Sequence, residues 1–298
     1  MNVLIQNFHP NNTIALIKDF KAIGYTVFMP DSNWNDRIRY YFDNSGFGCE
    51  LISYNEWMAL PPGDIIIGCY ELERDLKIVA RMHKDRCILH VSSNNTPYEH
   101  GIDYLLSPDI QTFNNYPAKN KMLYFYTPIT FNLKKDLKKS FNNKIISSYI
   151  HFYSKYWTES YKLASEFKSK YSGNVNFFGA ENINGQLAEK DAQENMVKNI
   201  FTLYFKEKDC YGNTVLESMA LGTPVIAYKP FIIDKTLGMF FLNNTNSIIV
   251  DSVDEAIERL KSLTLDEYTK LSINAIITVN TLTETTQRLN KLKETLNG

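Results

Sequence analysis

The chain has 298 residues, of which 44% are hydrophobic and 22% are charged, and its formal net charge is −1. This length suits two α/β domains of ~150 residues each, with enough apolar side chains for ordinary cores. A net charge near zero argues against a protein that binds nucleic acid through bulk positive charge alone. No apolar run approaches the ~20 residues of a transmembrane helix, and the N-terminus lacks the pattern of a signal peptide.

The first 130 residues alternate strand-like and helix-like segments. Residues 2–6 predict a short buried strand, residues 13–23 a helix that ends at Gly24, and residues 25–29 the next strand. A strand–helix–strand unit of this kind requires parallel strands. Further elements are predicted as strands at 64–68, 87–91, 104–107 and 122–126, and as a helix at 72–83.

Two polar loops of this half contain candidate catalytic residues. Ligands of a parallel sheet gather beyond the carboxyl ends of its strands. The loop after the first strand contains His9, and the loop 92–100 contains Asn94, Glu99 and His100. A carboxylate next to an imidazole can hold an acceptor hydroxyl and remove its proton. A solvated connecting loop has the same composition, so a connecting role stays open beside the catalytic one.

The segment 31–47 places aromatic residues next to arginines. It can stack on bases or on sugar rings through Trp34, Arg37, Arg39, Tyr40 and Tyr41. The alternative is an amphipathic helix with its charged side chains in solvent.

The second half begins with a lysine-rich segment, 128–143, that we interpret as a linker. The elements predicted after it are strands at 144–151 and 174–179 and helices at 156–171 and 254–263.

The stretch 209–229, DCYGNTVLESMALGTPVIAYK, contains the most specific pattern in the chain. Apolar residues recur at helical spacing over 213–221, which predicts a helix. Gly222 and Pro224 end this helix, and the apolar run 225–227 predicts a buried strand.

The start of this helix is a candidate anion site. Gly212 allows a ligand to approach the first turn closely. The backbone N–H groups of Asn213, Thr214 and Val215 would point outward at the positive end of the helix dipole, where phosphate is the usual ligand. Glu217 follows one turn later and suits a sugar with two neighbouring hydroxyls, such as a ribose.

This stretch resembles the donor-nucleotide motif of GT-B glycosyltransferases, in particular the large family 4-like class with an acidic residue and a glutamate separated by seven residues. That motif usually reads E-G-F-G-x-x-x-x-E-A-M-A-x-G-x-P-V-I-A, and this chain reads D-C-Y-G-N-T-V-L-E-S-M-A-L-G-T-P-V-I-A. The matching positions are Gly212, Glu217, Met219, Ala220, Gly222, Pro224, Val225, Ile226 and Ala227. Asp209 stands where the family usually has Glu, which keeps the negative charge on a shorter side chain.

The resemblance implies an α/β fold of two Rossmann-like domains with parallel sheets that face each other across a cleft. Residues 1–132 would form the acceptor-side domain, and residues 133–282 would form the domain that binds the nucleotide-sugar. The resemblance also implies a short strand at 240–250 and terminal helices at 271–282 and 283–296. The terminal helix, 283–298, would cross back to the first domain.

The resemblance also implies roles for single residues. Asp209 would bind hydroxyls of the donor sugar, and Glu217 would bind the ribose. Family members commonly contact the donor diphosphate with a basic residue in a G-R-x-x-x-x-K-G pattern, in whose place this chain offers His151 and Lys155. A solvated lysine at a helix start is an equal alternative for Lys155. The loop 180–186 would hold the base, mostly through backbone groups.

The implied function is transfer of a sugar from a nucleotide diphosphate-sugar, most commonly a UDP-sugar in this class, to an acceptor hydroxyl. A growing cell-surface glycan is the acceptor that prevalence favours. Hydroxymethylcytosine in DNA is the alternative, as for phage enzymes of similar build, with a basic rim of Arg37, Arg39, Arg81, Lys84 and Arg86. A nucleotide-sugar-binding protein without catalysis is the third interpretation.

We expect no metal and no cofactor besides the nucleotide-sugar co-substrate. The sequence has no D-x-D motif, and GT-B enzymes typically offset the charge of the leaving diphosphate with a helix start and basic side chains. The four cysteines lack the spacing of a metal site, which predicts reduced thiols in a cytoplasmic protein. For a phage-encoded protein, that compartment is the host cytoplasm.

Overall fold

The computed structural model describes residues 1–6, 10–31, 48–68, 73–91, 101–208 and 211–297. The chain divides into two compact units. Unit 1 comprises Met1–Thr127 together with Thr283–Gly298, and unit 2 comprises Pro128–Leu282. The domain boundary expected after residue 132 therefore lies slightly C-terminal to this division.

A parallel sheet of seven described strands forms the centre of unit 1. Its strands are rich in buried aliphatic residues, as expected when helices cover both faces of a parallel sheet. The strands are β1 (Asn2–Ile5), β2 (Thr26–Pro30), β3 (Glu50–Ile52), β4 (Asp64–Ile67), β5 (Arg86–His90), β6 (Tyr104–Ser107) and β7 (Asn120–Leu123). Their order in the sheet is β3-β2-β1-β4-β5-β6-β7.

Short helices connect these strands. Those in the described part of unit 1 before residue 127 are α1 (Pro10–Ala22), α2 (Tyr54–Met58), α3 (Glu73–His83) and α4 (Ile110–Asn115). The core between helices and sheet centres on the fully buried Trp57, whose Nε1 donates to Oδ2 of Asp85 at 2.8 Å. Pairing the indole N–H removes the cost of burying it without a partner.

Unit 2 is built on a second parallel sheet, of five described strands. They are β8 (Ile145–Ser148), β9 (Asn174–Phe177), β10 (Phe201–Tyr204), β11 (Val225–Tyr228) and β12 (Ser247–Val250). Their order in the sheet is β12-β11-β10-β8-β9. The chain leaves β8 for β9 on one side and then returns to β10 on the other side, so the topological switch point lies between β8 and β10.

The helices of unit 2 cover this sheet. They are α5 (Leu137–Asn143), α6 (Tyr153–Tyr156), α7 (Thr158–Lys170), α8 (Glu189–Lys198), α9 (Asn213–Ala220), α10 (Lys229–Ile232), α11 (Val253–Ser262) and α12 (Leu265–Leu282). A single turn of π-helix spans Leu237–Phe241.

The terminal helix α13 (Thr285–Asn297) packs in unit 1, where it contacts β7. Its buried Arg288 donates to both carboxylate oxygens of Asp19 on α1, at 2.6 and 2.9 Å. Near the other end of α13, the carbonyl oxygen of Leu296 accepts from Arg86 at 2.7 Å. Two guanidinium groups therefore attach this helix to the first unit.

Several predicted elements differ from the observed ones. The linker segment 128–143 contains a helix, α5, at its end. The expected helix 156–171 is α7, which begins at Thr158, because a separate turn, α6, ends at Tyr156 and Trp157 separates the two helices. The expected strand 240–250 begins only at Ser247, because residues before it form the π-helix.

The expected start of the helix 271–282 was also wrong. Helix α12 begins at Leu265, six residues earlier, because Thr264 and Glu267 form a reciprocal capping box. Oε2 of Glu267 accepts from the backbone N–H of Thr264 at 2.9 Å. The T-x-x-E pattern that signals this helix start is present in the sequence.

Candidate functional site

The candidate site lies at the carboxyl edge of the sheet in unit 2, where all five parallel strands end. Helix α9 starts directly after the loop that follows β10, next to the switch point between β8 and β10. In open parallel sheets, ligands bind in the crevice outside the strand ends at this point. The motif singled out in the sequence therefore starts a helix at the position where the topology favours a ligand.

The first turn of α9 uses internally one of the three backbone N–H groups that we expected to face a ligand. Gly212 is the N-cap residue, and no side chain caps the helix there. The N–H of Val215 donates to the carbonyl oxygen of Gly212 at 2.8 Å, so it does not point outward as we expected. The expectation of an anion site therefore rests on the half-buried Asn213 and Thr214.

Gly212 is closely packed within the chain. A Cβ atom at this position would lie 3.0 Å from Oη of Tyr204 and 3.1 Å from Cδ1 of Leu237. Both contacts are tighter than ordinary van der Waals distances, so these two side chains would have to shift by a few tenths of an ångström to admit a larger residue. The glycine thus lets the first turn of α9 lie close to both side chains.

Glu217 lies one turn into α9 and is only 8% exposed. Its helix neighbours Val215, Leu216 and Met219 are fully buried. Burying a carboxylate is costly without polar partners, so a nearly buried Glu at this position is rarely incidental. Asp209, the other acidic residue of the motif, lies outside the described residues.

The loops that follow β8 and β9 are bound to each other. The backbone N–H of Ala180 donates to Nδ1 of His151 at 2.9 Å. The backbone N–H of Phe152 donates to the carbonyl oxygen of Ala180, also at 2.9 Å. Both backbone polar groups of Ala180 are thereby paired with the neighbouring loop. His151 is exposed at this edge, so its imidazole lies at the rim of the candidate site.

Phe152 has an unusual backbone conformation within this pair of loops. Its φ of +53° and ψ of +37° lie in the left-handed region, which a bulky residue rarely adopts. Such a conformation costs on the order of 1–3 kcal/mol and persists where surrounding bonds enforce it. Here the enforcing bonds come from Ala180 and from the side chain of Asn182, which accepts from the N–H of Tyr153 at 3.1 Å.

Lys155 lies on α6 at the same edge. Its side chain is 52% exposed, and Nζ is 3.5 Å from Oε2 of Glu181. The carboxylate of Glu181 raises the pKa of Lys155. The geometry is compatible with both interpretations of this residue, as an exposed surface lysine and as a flexible cation next to the site.

The loop after β10 is fixed by contacts that the sequence did not reveal. Oη of Tyr153 donates to the carbonyl oxygen of Phe205 at 2.6 Å. The carboxylate of Glu207 accepts from the N–H of Ser160 at 3.2 Å, and Oγ of Ser160 accepts from the N–H of Glu207 at 2.8 Å. These bonds join the loop that leads to α9 with the start of α7, next to β8.

The four predicted catalytic residues are His9, Asn94, Glu99 and His100, and they lie outside the described residues. Within the described ranges, no group of three or more His, Cys, Asp or Glu side chains has the arrangement of a metal site. In the same ranges, no helix has the length and apolarity that crossing a membrane requires.

Solved structures share this architecture across the whole chain, although no protein-family model and no curated protein sequence matches it. HepE from Anabaena in complex with UDP-glucose superimposes with a TM-score of 0.75 at 10% identity, over 100% of this chain and 99% of that one. Sucrose-phosphate synthase from Thermosynechococcus elongatus gives 0.71 at 11% identity, over 100% and 98%. The lipopolysaccharide outer core galactosyltransferase WaaB gives 0.67 at 10% identity, over 99% of each chain. With its two Rossmann-like units and parallel sheets, the chain has the GT-B fold of these glycosyltransferases.

Proposed function

We propose that this chain is a glycosyltransferase that moves a sugar from a nucleotide diphosphate-sugar, a UDP-sugar, to an acceptor hydroxyl. The observation that carries the proposal is the position of α9. Its glycine N-cap follows β10 next to the switch point, and the buried Glu217 lies one turn further in. The fold shared with HepE, which was crystallised with UDP-glucose, supports the same conclusion.

The donor would lie along the carboxyl edge of the sheet in unit 2. The first turn of α9, at Asn213 and Thr214, would bind the diphosphate, because backbone N–H groups and the helix dipole both favour an anion there. His151 and Lys155 would contact the same diphosphate from the loops after β8. Glu217 would accept hydrogen bonds from the two ribose hydroxyls.

In the proposed reaction the acceptor oxygen attacks the anomeric carbon of the donor sugar as the bond to the diphosphate breaks. A base takes the acceptor proton, and UDP leaves with the electron pair of the broken bond. Asp209 would bind the sugar hydroxyls, and the candidates for the base are His9, Glu99 and His100. Asn94 would hold the acceptor hydroxyl by a hydrogen bond. The helix start and basic side chains would stabilise the leaving diphosphate without a metal ion.

A glycan is the acceptor that the observations favour. WaaB, which shares the fold, is named as a galactosyltransferase of the lipopolysaccharide outer core. The DNA alternative depends on a basic rim that includes Arg86. That guanidinium donates to Asp64 at 2.6 and 2.9 Å and to the carbonyl oxygen of Leu296 at 2.7 Å, so it is committed within the protein. Arg37 and Arg39 lie outside the described residues.

The experiment that tests the proposal combines nucleotide binding with product analysis. The unfolding temperature is measured with UDP, GDP and ADP, since a ligand that binds only the folded chain raises it. Mass spectrometry then follows two incubations with a pool of UDP-hexoses and UDP-pentoses, one with oligosaccharide acceptors and one with hydroxymethylcytosine DNA. A mass increase of one sugar on the oligosaccharide supports a glycan acceptor. The same increase on the DNA supports hydroxymethylcytosine as the acceptor instead.

The same incubation without acceptor distinguishes an enzyme from a protein that only binds nucleotide-sugars. Slow release of free sugar and UDP is expected, because water can replace the acceptor hydroxyl. Stabilisation by UDP with no donor hydrolysis would identify a binding protein without catalysis. A chain that no nucleotide stabilises would contradict the transferase proposal as a whole.

A further inference from the structure

The side chain of Asn182 joins the two loops at the rim of the candidate site. Its Nδ2 donates to the carbonyl oxygen of Ile150 at 2.6 Å and to that of Phe178 at 2.8 Å. Its Oδ1 accepts from the N–H of Tyr153 at 3.1 Å. Both amide hydrogens and the carbonyl oxygen of one side chain are therefore used, and the partners belong to the loops after β8 and β9.

The geometry of neighbouring residues is adapted to this side chain. Gly179 has a φ of +130°, and a Cβ atom there would lie 2.8 Å from Nδ2 of Asn182 and 2.9 Å from the carbonyl oxygen of Ile150. Only glycine leaves room for the amide and adopts this backbone conformation without strain. The loop is thus shaped around the Asn182 amide.

The bonds of Asn182 lie on both sides of His151. Ile150 directly precedes the histidine, and Tyr153 follows it by two residues. Asn182 is also two residues from Ala180, whose N–H donates to Nδ1 of His151. One asparagine thus holds the backbone that carries the imidazole and the loop that carries its hydrogen-bond donor.

The bond from Ala180 determines the tautomer of His151. A backbone N–H can only donate, so Nδ1 must accept and therefore carries no hydrogen. The hydrogen of the neutral ring is then on Nε2, which makes that nitrogen a donor. A donor at an exposed position of this edge suits a phosphate oxygen.

We propose that Asn182 is a positioning residue for nucleotide binding: it holds His151 in the Nε2–H tautomer and orientation with which the imidazole contacts the donor diphosphate. The inference rests on the proposed function, because it assumes that a nucleotide diphosphate binds at this edge. Asn182 itself touches backbone groups of the two loops and acts through His151.

The test uses the full chain with three substitutions. Asn182→Ala removes all three bonds, whereas Asn182→Asp keeps the acceptor for Tyr153 and loses both donors. Asn246→Ala is the matched control. Asn246 also donates through Nδ2 to a backbone oxygen, that of Phe241, and accepts a backbone N–H, that of Asn243, but it lies before β12, at the opposite edge of the sheet.

Two readouts are taken from each protein. Long-range ¹H–¹⁵N spectra of chains with ¹⁵N-labelled histidine report which ring nitrogen carries the hydrogen, recorded at alkaline pH so that imidazoles are neutral. The resonances of His151 are assigned by their loss in His151→Gln. Calorimetric titration with UDP gives the dissociation constant, and thermal unfolding shows that each variant folds.

We expect wild-type His151 in the Nε2–H form and a mixture of tautomers in both Asn182 variants. We expect the dissociation constant for UDP to rise on the order of 10-fold in these variants, with Asn246→Ala unchanged in both readouts. If Asn182→Ala does not fold, Asn182→Asp gives the same comparison.

Two results would overturn the inference. A wild-type tautomer in the folded Asn182 variants would show that Asn182 does not orient His151. An altered tautomer with unchanged UDP affinity would show that this orientation does not serve nucleotide binding. A wild-type chain that binds neither UDP, GDP nor ADP would instead contradict the proposed function, and that failure is visible before any variant is compared.

Discussion

Arg288 and Asp19 form a bidentate ion pair between residues 269 positions apart in the sequence. Both side chains are nearly fully buried, at 8% and 4% exposure. Oη of Tyr124 also donates to Asp19, at 2.7 Å, and Nη1 of Arg288 donates to Oγ1 of Thr127 at 2.9 Å. The pair thus attaches the last helix of the chain to the first.

Breaking this pair should destabilise unit 1 strongly. Asp19→Asn leaves a buried guanidinium without its counter-charge, which costs about 3–5 kcal/mol of unfolding free energy. Urea unfolding measures the loss. The exposed pair of Lys261 and Glu258 is the control, because Glu258→Gln should cost at most about 0.5 kcal/mol. Equal effects of the two substitutions would show that the buried pair does not hold the terminal helix.

Lys135 should make the free energy of unfolding of unit 2 depend on pH in a distinctive way. Its Nζ donates to the carbonyl oxygens of Val197 and Asn199, at 3.0 and 2.6 Å, and to Oγ1 of Thr223 at 2.8 Å. Burial lowers the pKa of Lys135 to about 7. An unfolded lysine titrates near ~10.4, so between these values the unfolded chain binds a proton that the folded chain lacks.

In that window the stability of the wild type should rise with pH relative to Lys135→Met, by up to about 1.4 kcal/mol per pH unit. Below pH ~7 both states carry the proton, and the difference between the two proteins should become constant. Urea unfolding at pH 6.5, 8 and 9.5 supplies the comparison. Parallel pH profiles would show that the three acceptor oxygens keep the ammonium group charged in the folded chain.

Glu217 should control affinity for the ribose of the donor. Glu217→Ala is expected to weaken UDP binding by about 1.5–3 kcal/mol, the range for hydrogen bonds to a charged group. Calorimetric titration with UDP and with its 2′-deoxy analogue separates the ribose contact from the rest. The wild type should bind the deoxy analogue more weakly, and Glu217→Ala should bind both ligands alike. Unchanged affinity for UDP in Glu217→Ala would exclude this role.

His151 should contribute through the diphosphate and not through the nucleoside. His151→Ala is expected to weaken UDP binding on the order of 10-fold, because one hydrogen bond to a charged oxygen is lost. Affinity for uridine should stay the same. Lys155→Ala is a useful comparison, since its exposed side chain is screened by solvent and its loss should have a smaller effect. An equal loss of affinity for uridine would mean that His151 only supports the structure of the loop and does not contact the diphosphate.

The start of the motif helix and the strand after it could be predicted from the sequence, because both depend on local features. Apolar spacing places a helix over 213–221, and α9 spans Asn213–Ala220. Gly222 ends it with a φ of +76°, as a helix-ending glycine does. The alternation of strands and helices likewise predicted a parallel sheet in the first half, and the resemblance to GT-B enzymes implied one in the second half. The structure confirms both sheets.

The candidate site depends on contacts that leave no local pattern. Asn182 can join the loops after β8 and β9 only where the fold makes these loops neighbours. The asparagine-rich sequence of its own loop predicts only a turn. Val215 follows the motif glycine Gly212 by three residues, yet the first turn uses its N–H internally.

The sequence by itself determined the α/β class, the parallel sheets and the helix that starts at residue 213, because periodicity and glycine positions act over a few residues. Only the tertiary structure decided which loops share the candidate site and which side chains attach the terminal helix to the first unit. The pair of Arg288 and Asp19 and the bonds of Asn182 join segments that meet only when the strands have taken their order in the sheets. Such long-range pairings depend on the free energy of the whole fold, which no short stretch of sequence encodes.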